Sequence, residues 1–373
     1  MFVRVLQKSL VLLLTSATLA GCNAVVLHPA GDVALQQRNL VVVSTLMMLL
    51  IILPVMALTL IFAWRYRHSN TKAVYKPDWH HSTQLELVIW SAPLLIIIAL
   101  GALTWVGTHM LDPYRPIDRL EAGRAVPKGT KPLNVQVVAL DWKWLFIYPD
   151  YGIATVNELA APIDVPINFK ITSSTVMNSF FVPALAGQIY AMPAMETQLH
   201  AVINRTGEYE GFSANYSGAG FSDMRFAFHG MSAADFERWV AAIKAGGGTL
   251  EREDYLKLDR PSVRDPVQHY ASVAANLYDA ILNLCVDKTK MCVHDMMAID
   301  ARGGLGLAAA YNISRLSYDL PRTRSDAPAP RREYVTALCA ADPDPIAGST
   351  SRPLVSSALA SPLPNGASVR FAP

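Results

Sequence analysis

The chain has 373 residues, of which 52% are hydrophobic and 17% charged, with a mean hydropathy of +0.25. That balance excludes a disordered polyelectrolyte. A net charge of +2 gives no reason to expect nucleic acid, and four cysteines are too few for a disulfide framework. The apolar excess is concentrated before residue 111, which predicts a membrane anchor followed by an aqueous part.

Residues 1–22 read as a signal peptide. Arg4 and Lys8 give a basic start, an apolar stretch opens at Val11 to Leu14, and Leu19-Ala20-Gly21-Cys22 follows. This ending resembles the bacterial lipobox, which implies export and lipidation of Cys22. The next segment, 23–111, is expected to be a transmembrane hairpin. Residues 40–64 carry no charge and, as a helix, reach roughly 37 Å, enough for a hydrocarbon core of about 30 Å. Pro54 is expected to kink this span. A second apolar run covers 87–110, and Trp64, Trp90 and Trp105 lie towards the ends of the two runs. Between the runs, Arg65, Arg67, Lys72 and Lys76 face one clear acid, Asp78, so the loop is read as cytoplasmic. The N-terminus and everything after about residue 111 then lie in the periplasm of a bacterial inner-membrane protein.

The aqueous part starts with strand signals. Asn134 to Phe146 is rich in β-branched and aromatic residues and reads as one strand. Further short strands are predicted at 165–172, 197–203, 209–216 and 224–228, separated by Pro, Gly and Asn. A small β-sandwich is expected over about 125–230. Ser232 then caps a helix whose Phe236, Trp239, Val240 and Ile243 share one face, ended by Gly246-Gly247-Gly248. A second helix is predicted over 267–284, striped by Tyr270, Val273, Leu277, Ile281 and Leu284. The segment 231–300 thus reads as a helical arm. The Pro-, Ala-, Ser- and Arg-rich stretch 322–373 reads as a disordered tail.

Four stretches carry a family resemblance: Trp79-His80-His81 with Leu85-Glu86-Leu87-Val88-Ile89-Trp90; Leu103-Thr104-Trp105; Asp141-Trp142-Lys143-Trp144; and Gly211 to Met224. With the lipobox and the hairpin, the chain over most of 20–300 resembles subunit II of the haem–copper respiratory oxidases. The resemblance implies a membrane-anchored α+β protein: a two-helix transmembrane hairpin, a periplasmic cupredoxin-like Greek-key β-sandwich and a C-terminal helical arm. In the cytochrome c oxidase branch, the last stretch carries Cys-x3-Cys-x3-His-x2-Met, with a further His upstream, and these hold a dinuclear copper centre. Here the two Cys positions are Ser213 and Ser217, the downstream His position is Phe221, and the upstream one is Asn178. Met224 alone remains, and a lone thioether is a weak ligand better read as core packing. These vacated copper-ligand positions resemble the quinol oxidase branch, of the cytochrome o (bo) type.

That branch implies a subunit of an H+-transporting ubiquinol oxidase, structural and non-redox, with no metal or other cofactor bound by this chain and no catalytic residue of its own. Haem b, haem o and copper are then expected in subunit I. Subunits I, III and IV, ubiquinol and membrane lipid are the implied partners, and no cytochrome c docking is expected. Glu86 reads either as a favourable charge at a helix N-terminus or, through the resemblance, as a proton-channel entrance. Without a metal behind them, Trp142 and Trp144 read as strand packing, and His80-His81 as juxtamembrane surface. Cys285 and Cys292 are close in sequence in an oxidising compartment, so a disulfide is expected, with metal binding beside His294 as the lesser alternative. Cys339 falls in the tail. Two rival functions stand against the oxidase reading: a membrane-anchored cupredoxin-like electron carrier, and a lipoprotein assembly scaffold.

Overall fold

Two long helices open the fold of the computed structural model, which describes residues 24–74, 76 and 78–301. Cys22, Cys339 and the expected tail lie outside the described residues. Helix α1 spans Asp32–Arg65 and α2 Thr83–Met110, 34 and 28 residues, both long and apolar enough to cross a membrane. The apolar runs alone predict shorter helices. α1 gains a polar first stretch, 32–39, ahead of Leu40, and α2 begins under the Ser82 carbonyl, which accepts the Glu86 N–H.

A short pair, β1 (Arg119–Glu121) and β2 (Arg124–Ala125), follows the hairpin. Ten strands then run β3 (Leu133–Leu140), β4 (Lys143–Tyr148), β5 (Ile153–Val156), β6 (Glu158–Pro162), β7 (Pro166–Ser173), β8 (Asn178–Phe181), β9 (Ile189–Ala191), β10 (Thr197–Val202), β11 (Gly207–Ser213) and β12 (Arg225–Met231). The arm adds α3 (Ala233–Gly246), β13 (Gly248–Leu250), α4 (Arg252–Leu258), β14 (Gln268–Val273), α5 (Leu277–Leu282) and α6 (Val293–Asp300). A seven-stranded sheet of order β10-β7-β3-β4-β5-β14-β13 packs on a five-stranded sheet of order β6-β12-β11-β8-β9. β3 pairs parallel with β7, and β6 parallel with β12, so strands cross between the layers of the cupredoxin-like sandwich.

Two expectations need correction. The stretch 134–146 is two antiparallel strands, because the chain reverses at Asp141-Trp142. Trp142 takes φ 69°, a left-handed conformation that costs a bulky residue of order 1–3 kcal/mol. Residues 267–284 form β14 and then α5, not one helix. His269 and Tyr270 find open hydrogen-bonding partners on the edge of β5, and that ladder prevails over the helical stripe. The C-terminal region is helical as expected, and β13 and β14 within it also extend the larger sheet.

The misread hairpin has a physical cause. β4 is buried on both faces, so its sequence reads as a continuous apolar run. Trp144, Phe146 and Tyr148 point between the sheets, whereas Leu145 and Ile147 point to the arm. Between the sheets, Phe180 stacks on Phe226 at 5.6 Å, and Trp144 meets both edge-on. On the outer face, Tyr255, Leu258, Leu277, Tyr278 and Ile281 of the arm cover Val138, Leu145 and Ile147. α3 starts as expected: the Ser232 hydroxyl accepts the Asp235 N–H, and Phe236, Val240 and Ile243 are buried while Trp239 is partly so.

The first membrane helix is docked to the sandwich. The N–H groups of Ala30 and Gly31 donate to the Ala184 carbonyl, and that of Ala34 to Leu185. Asp32, 3% exposed, accepts a two-pronged contact from Arg119, at 2.9 and 3.2 Å, and a bond from Gln36 at 2.7 Å. A Cβ on Gly31 would come within 2.5 Å of the Val202 carbonyl oxygen. Truncating Phe180 to Ala removes the ring on which Trp144, Phe146, Phe169 and Phe226 converge. Such a change costs about 3–5 kcal/mol and is read as a lower midpoint in thermal unfolding of the full-length chain.

Candidate functional site

The residues that the resemblance sets at copper-ligand positions, Asn178, Ser213, Ser217, Phe221 and Met224, belong to β8, to the end of β11 and to the segment leading into β12. Asn178 opens β8, Ser213 closes β11 and Met224 directly precedes β12. Ser213 Oγ donates to Asn178 Oδ1 at 3.1 Å, and the Ser213 N–H donates to the Met224 carbonyl at 3.2 Å. Asn178 Nδ2 is spent on the Val176 carbonyl at 3.2 Å. Met224 is 0% exposed and belongs to the inter-sheet core.

Ser217 and Phe221 sit on the loop between β11 and β12. Phe221 meets Tyr216 edge-on at 5.7 Å. Among the described residues the buried Ser217 hydroxyl has no partner, while its carbonyl accepts the Trp142 indole N–H at 3.1 Å. Trp142 thus does not pack as a strand residue. Its left-handed backbone turns the indole across the loop, so close that a Cβ on Gly220 would meet the ring at 2.4 Å and one on Gly218 at 3.0 Å. Trp144, by contrast, is fully buried core.

This donor set does not fit a dinuclear copper centre. Such a centre needs thiolates to bridge soft copper and imidazoles to complete the coordination. Here a hydroxyl and an amide bond to each other, a phenyl ring packs on a tyrosine, and a tryptophan holds the loop that would carry the metal.

Sequence reasoning missed the neighbouring lysine. Lys143 is 1% exposed, and its Nζ lies 2.9 Å from Asp265, donates to the Arg260 carbonyl at 3.0 Å and bonds the Ser262 hydroxyl. Burial opposes ionisation of Asp265. The hydrogen bonds from Lys143 and Ser262, with the lysine's charge, nevertheless hold its carboxyl below the usual carboxylate range. A lysine inside an otherwise apolar strand was the available signal, since such a charge needs a buried partner.

At the far end of the hairpin, Glu86 lies in the first turn of α2, and its Oε1 is 2.7 Å from His81 Nδ1. Thr83 Oγ1 is 3.2 Å from the other ring nitrogen. His80 instead faces the Asp78 carbonyl at 2.8 Å, so the adjacent histidines do not converge. In the arm, a disulfide joins Cys285 to Cys292 just before α6.

Residues 152–231 match the family model of the cytochrome c oxidase subunit II periplasmic domain, and 244–289 that of the COX aromatic rich motif. Subunit 2 of the cytochrome bo(3) ubiquinol oxidase of Pseudomonas putida is 49% identical over 265 residues, 71% of this chain and 82% of that protein. The Pseudomonas aeruginosa protein of the same name is 50% identical over 264 residues, covering 71% and 77%. The ubiquinol oxidase subunit 2 of Acetobacter aceti is 48% identical over 264 residues, covering 71% and 83%. The chain belongs to the ubiquinol oxidase subunit II family. In the segment matching the aromatic rich motif, Tyr255 and Tyr278 are the buried rings that seat the arm on the sandwich.

The lowered Asp265 carboxyl gives a pH dependence with a definite sign. Its contribution to stability is present above the ordinary carboxylate pKa, about 3.9, and is lost as pH falls through the lower folded value. The stability difference between the wild-type chain and D265N should therefore shrink on acidification, measured as unfolding midpoints from neutral pH to pH of about 3.

Proposed function

We propose that this subunit works in a proton-pumping ubiquinol oxidase as a structural part that carries no electrons itself. The observation that carries this reading is the donor set at Asn178, Ser213, Ser217, Phe221 and Met224, in which no thiolate or imidazole is available. A water-soluble cytochrome c would need a docking surface and a metal relay here. A lipid-soluble quinol reaches a large partner subunit through the bilayer and needs neither.

On this reading, haem b, haem o and copper reside in subunit I. This chain caps subunit I from the periplasm and stands beside subunits III and IV, with Cys22 lipidated and the loop between the helices in the cytoplasm. Glu86 gathers protons on the cytoplasmic side in this reading, which its site in the first turn of α2 and its contact with His81 at 2.7 Å support. The rival electron carrier is disfavoured by the same donor set, and the scaffold by the relatives' identity as oxidase subunits.

The purified complex is expected to turn over with ubiquinol and to leave reduced cytochrome c unoxidised; robust cytochrome c oxidation overturns the reading. A second expectation concerns the ligand positions. The combined variant N178H/S213C/S217C/F221H, with Met224 in place, is expected to take up copper with an intense visible chromophore, because thiolate and imidazole supply what hydroxyl and amide lack. The wild-type chain, loaded in parallel, is expected to stay colourless.

A further inference from the structure

A cavity of about 250 Å3 lies where the two membrane helices meet the sandwich. Its walls come from the first turns of α1, the end of α2 at Met110, the linker 111–119, and Leu199 and His200 of β10. The volume sits below the usual small-ligand range, which starts at about 300 Å3. It suits a headgroup-sized polar moiety.

Helix length sets the depth of this cavity relative to a bilayer. The apolar run of α1 begins at Leu40, and the polar stretch 32–39 before it rises about 12 Å. The headgroup layer on each side of the hydrocarbon is about 5–7 Å thick. Gln36 therefore stands at the outer edge of the headgroup layer and Asp32 about 5–7 Å above it, so the cavity they line borders that layer. Molecules concentrated there are lipids.

The charges that line the cavity, with Asp112, Arg115 and Asp118 open to solvent, select among lipids. Asp32 is taken by Arg119, and Asp118 by the Arg115 guanidinium. Asp112 remains: among the described residues its carboxylate accepts only the Tyr114 backbone N–H, at 2.9 Å. Two arginines against three aspartates leave the cavity one negative charge in excess, which disfavours a lipid with a net negative headgroup. Arg115 uses one terminal nitrogen on Asp118, and its other N–H donors stay available for a phosphate.

We propose that this cavity binds the headgroup of an ethanolamine phospholipid, with the primary ammonium at Asp112 and the phosphate at Arg115. The ammonium pairs with Asp112 and the phosphate shares Arg115 with Asp118; a zwitterionic headgroup adds no net charge to the excess, whereas an anionic one would add to it. Met110 and Leu199 offer apolar surface to the glycerol end, towards the membrane.

The test uses the full-length chain in nanodiscs of phosphatidylethanolamine and phosphatidylglycerol in equal amounts. Lipid adducts are counted by native mass spectrometry after release. The expected result is preferential retention of phosphatidylethanolamine. D112N keeps an oxygen for the Tyr114 N–H and so keeps the turn, yet removes the charge; it is expected to lower the ethanolamine adduct roughly tenfold, the scale of one hydrogen bond to a charged group. R115Q is expected to lower it as well, with the thermal midpoint of each variant reported beside the count. Equal retention of the two lipids, or an unchanged adduct in either variant of wild-type midpoint, overturns the proposal. A variant whose midpoint drops is replaced by competition with soluble glycerophosphoethanolamine against glycerophosphoglycerol on the wild-type chain, where only the former should displace the adduct. None of these outcomes depends on oxidase activity.

Discussion

The junction at Gly31 and Asp32 governs how this molecule is put together. One residue must lie flat against the backbone of Val202 and Leu185, and the next must bury a carboxylate under Arg119. An uncompensated buried carboxylate is costly, so the helix start, the linker strand and the sandwich hold one another in register. The sandwich is thereby fastened to the start of the first membrane helix. The same pairing leaves Asp112 as the unmatched acid of the adjoining cavity.

Much of this architecture was legible in the sequence. Uncharged runs declared the two membrane helices, and the Ser232 cap with its Phe236-Val240-Ile243 face declared α3. What escaped was governed by long-range contact. The 134–146 stretch looked like one strand because β4 buries both faces and so loses the alternation that marks an exposed strand. Residues 267–284 looked helical because Leu277 and Ile281 do lie on a helix, whereas the preceding half is drawn into the ladder of β5. The salt link from Lys143 to Asp265 joins residues 122 positions apart (265 minus 143), and no local pattern announces such a pair.

The candidate site was legible in composition but not in geometry. Reading Asn178, Ser213, Ser217 and Phe221 against the family's ligand pattern was enough to see that soft donors are missing. The sequence did not reveal that Asn178 and Ser213 satisfy each other, or that Trp142 adopts a left-handed backbone to lie over Gly218 and Gly220. Those glycines were the available sign, since a ring this close to the main chain leaves no room for a side chain.

The indole of Trp142 therefore occupies the role that coordination bonds play in a metalloprotein: it draws a mobile loop onto the body of the domain. A loop secured in this manner attains its final shape at the moment the chain folds. That shape is held by the chain itself, through the Trp142 indole on the Ser217 carbonyl and its ring over Gly218 and Gly220.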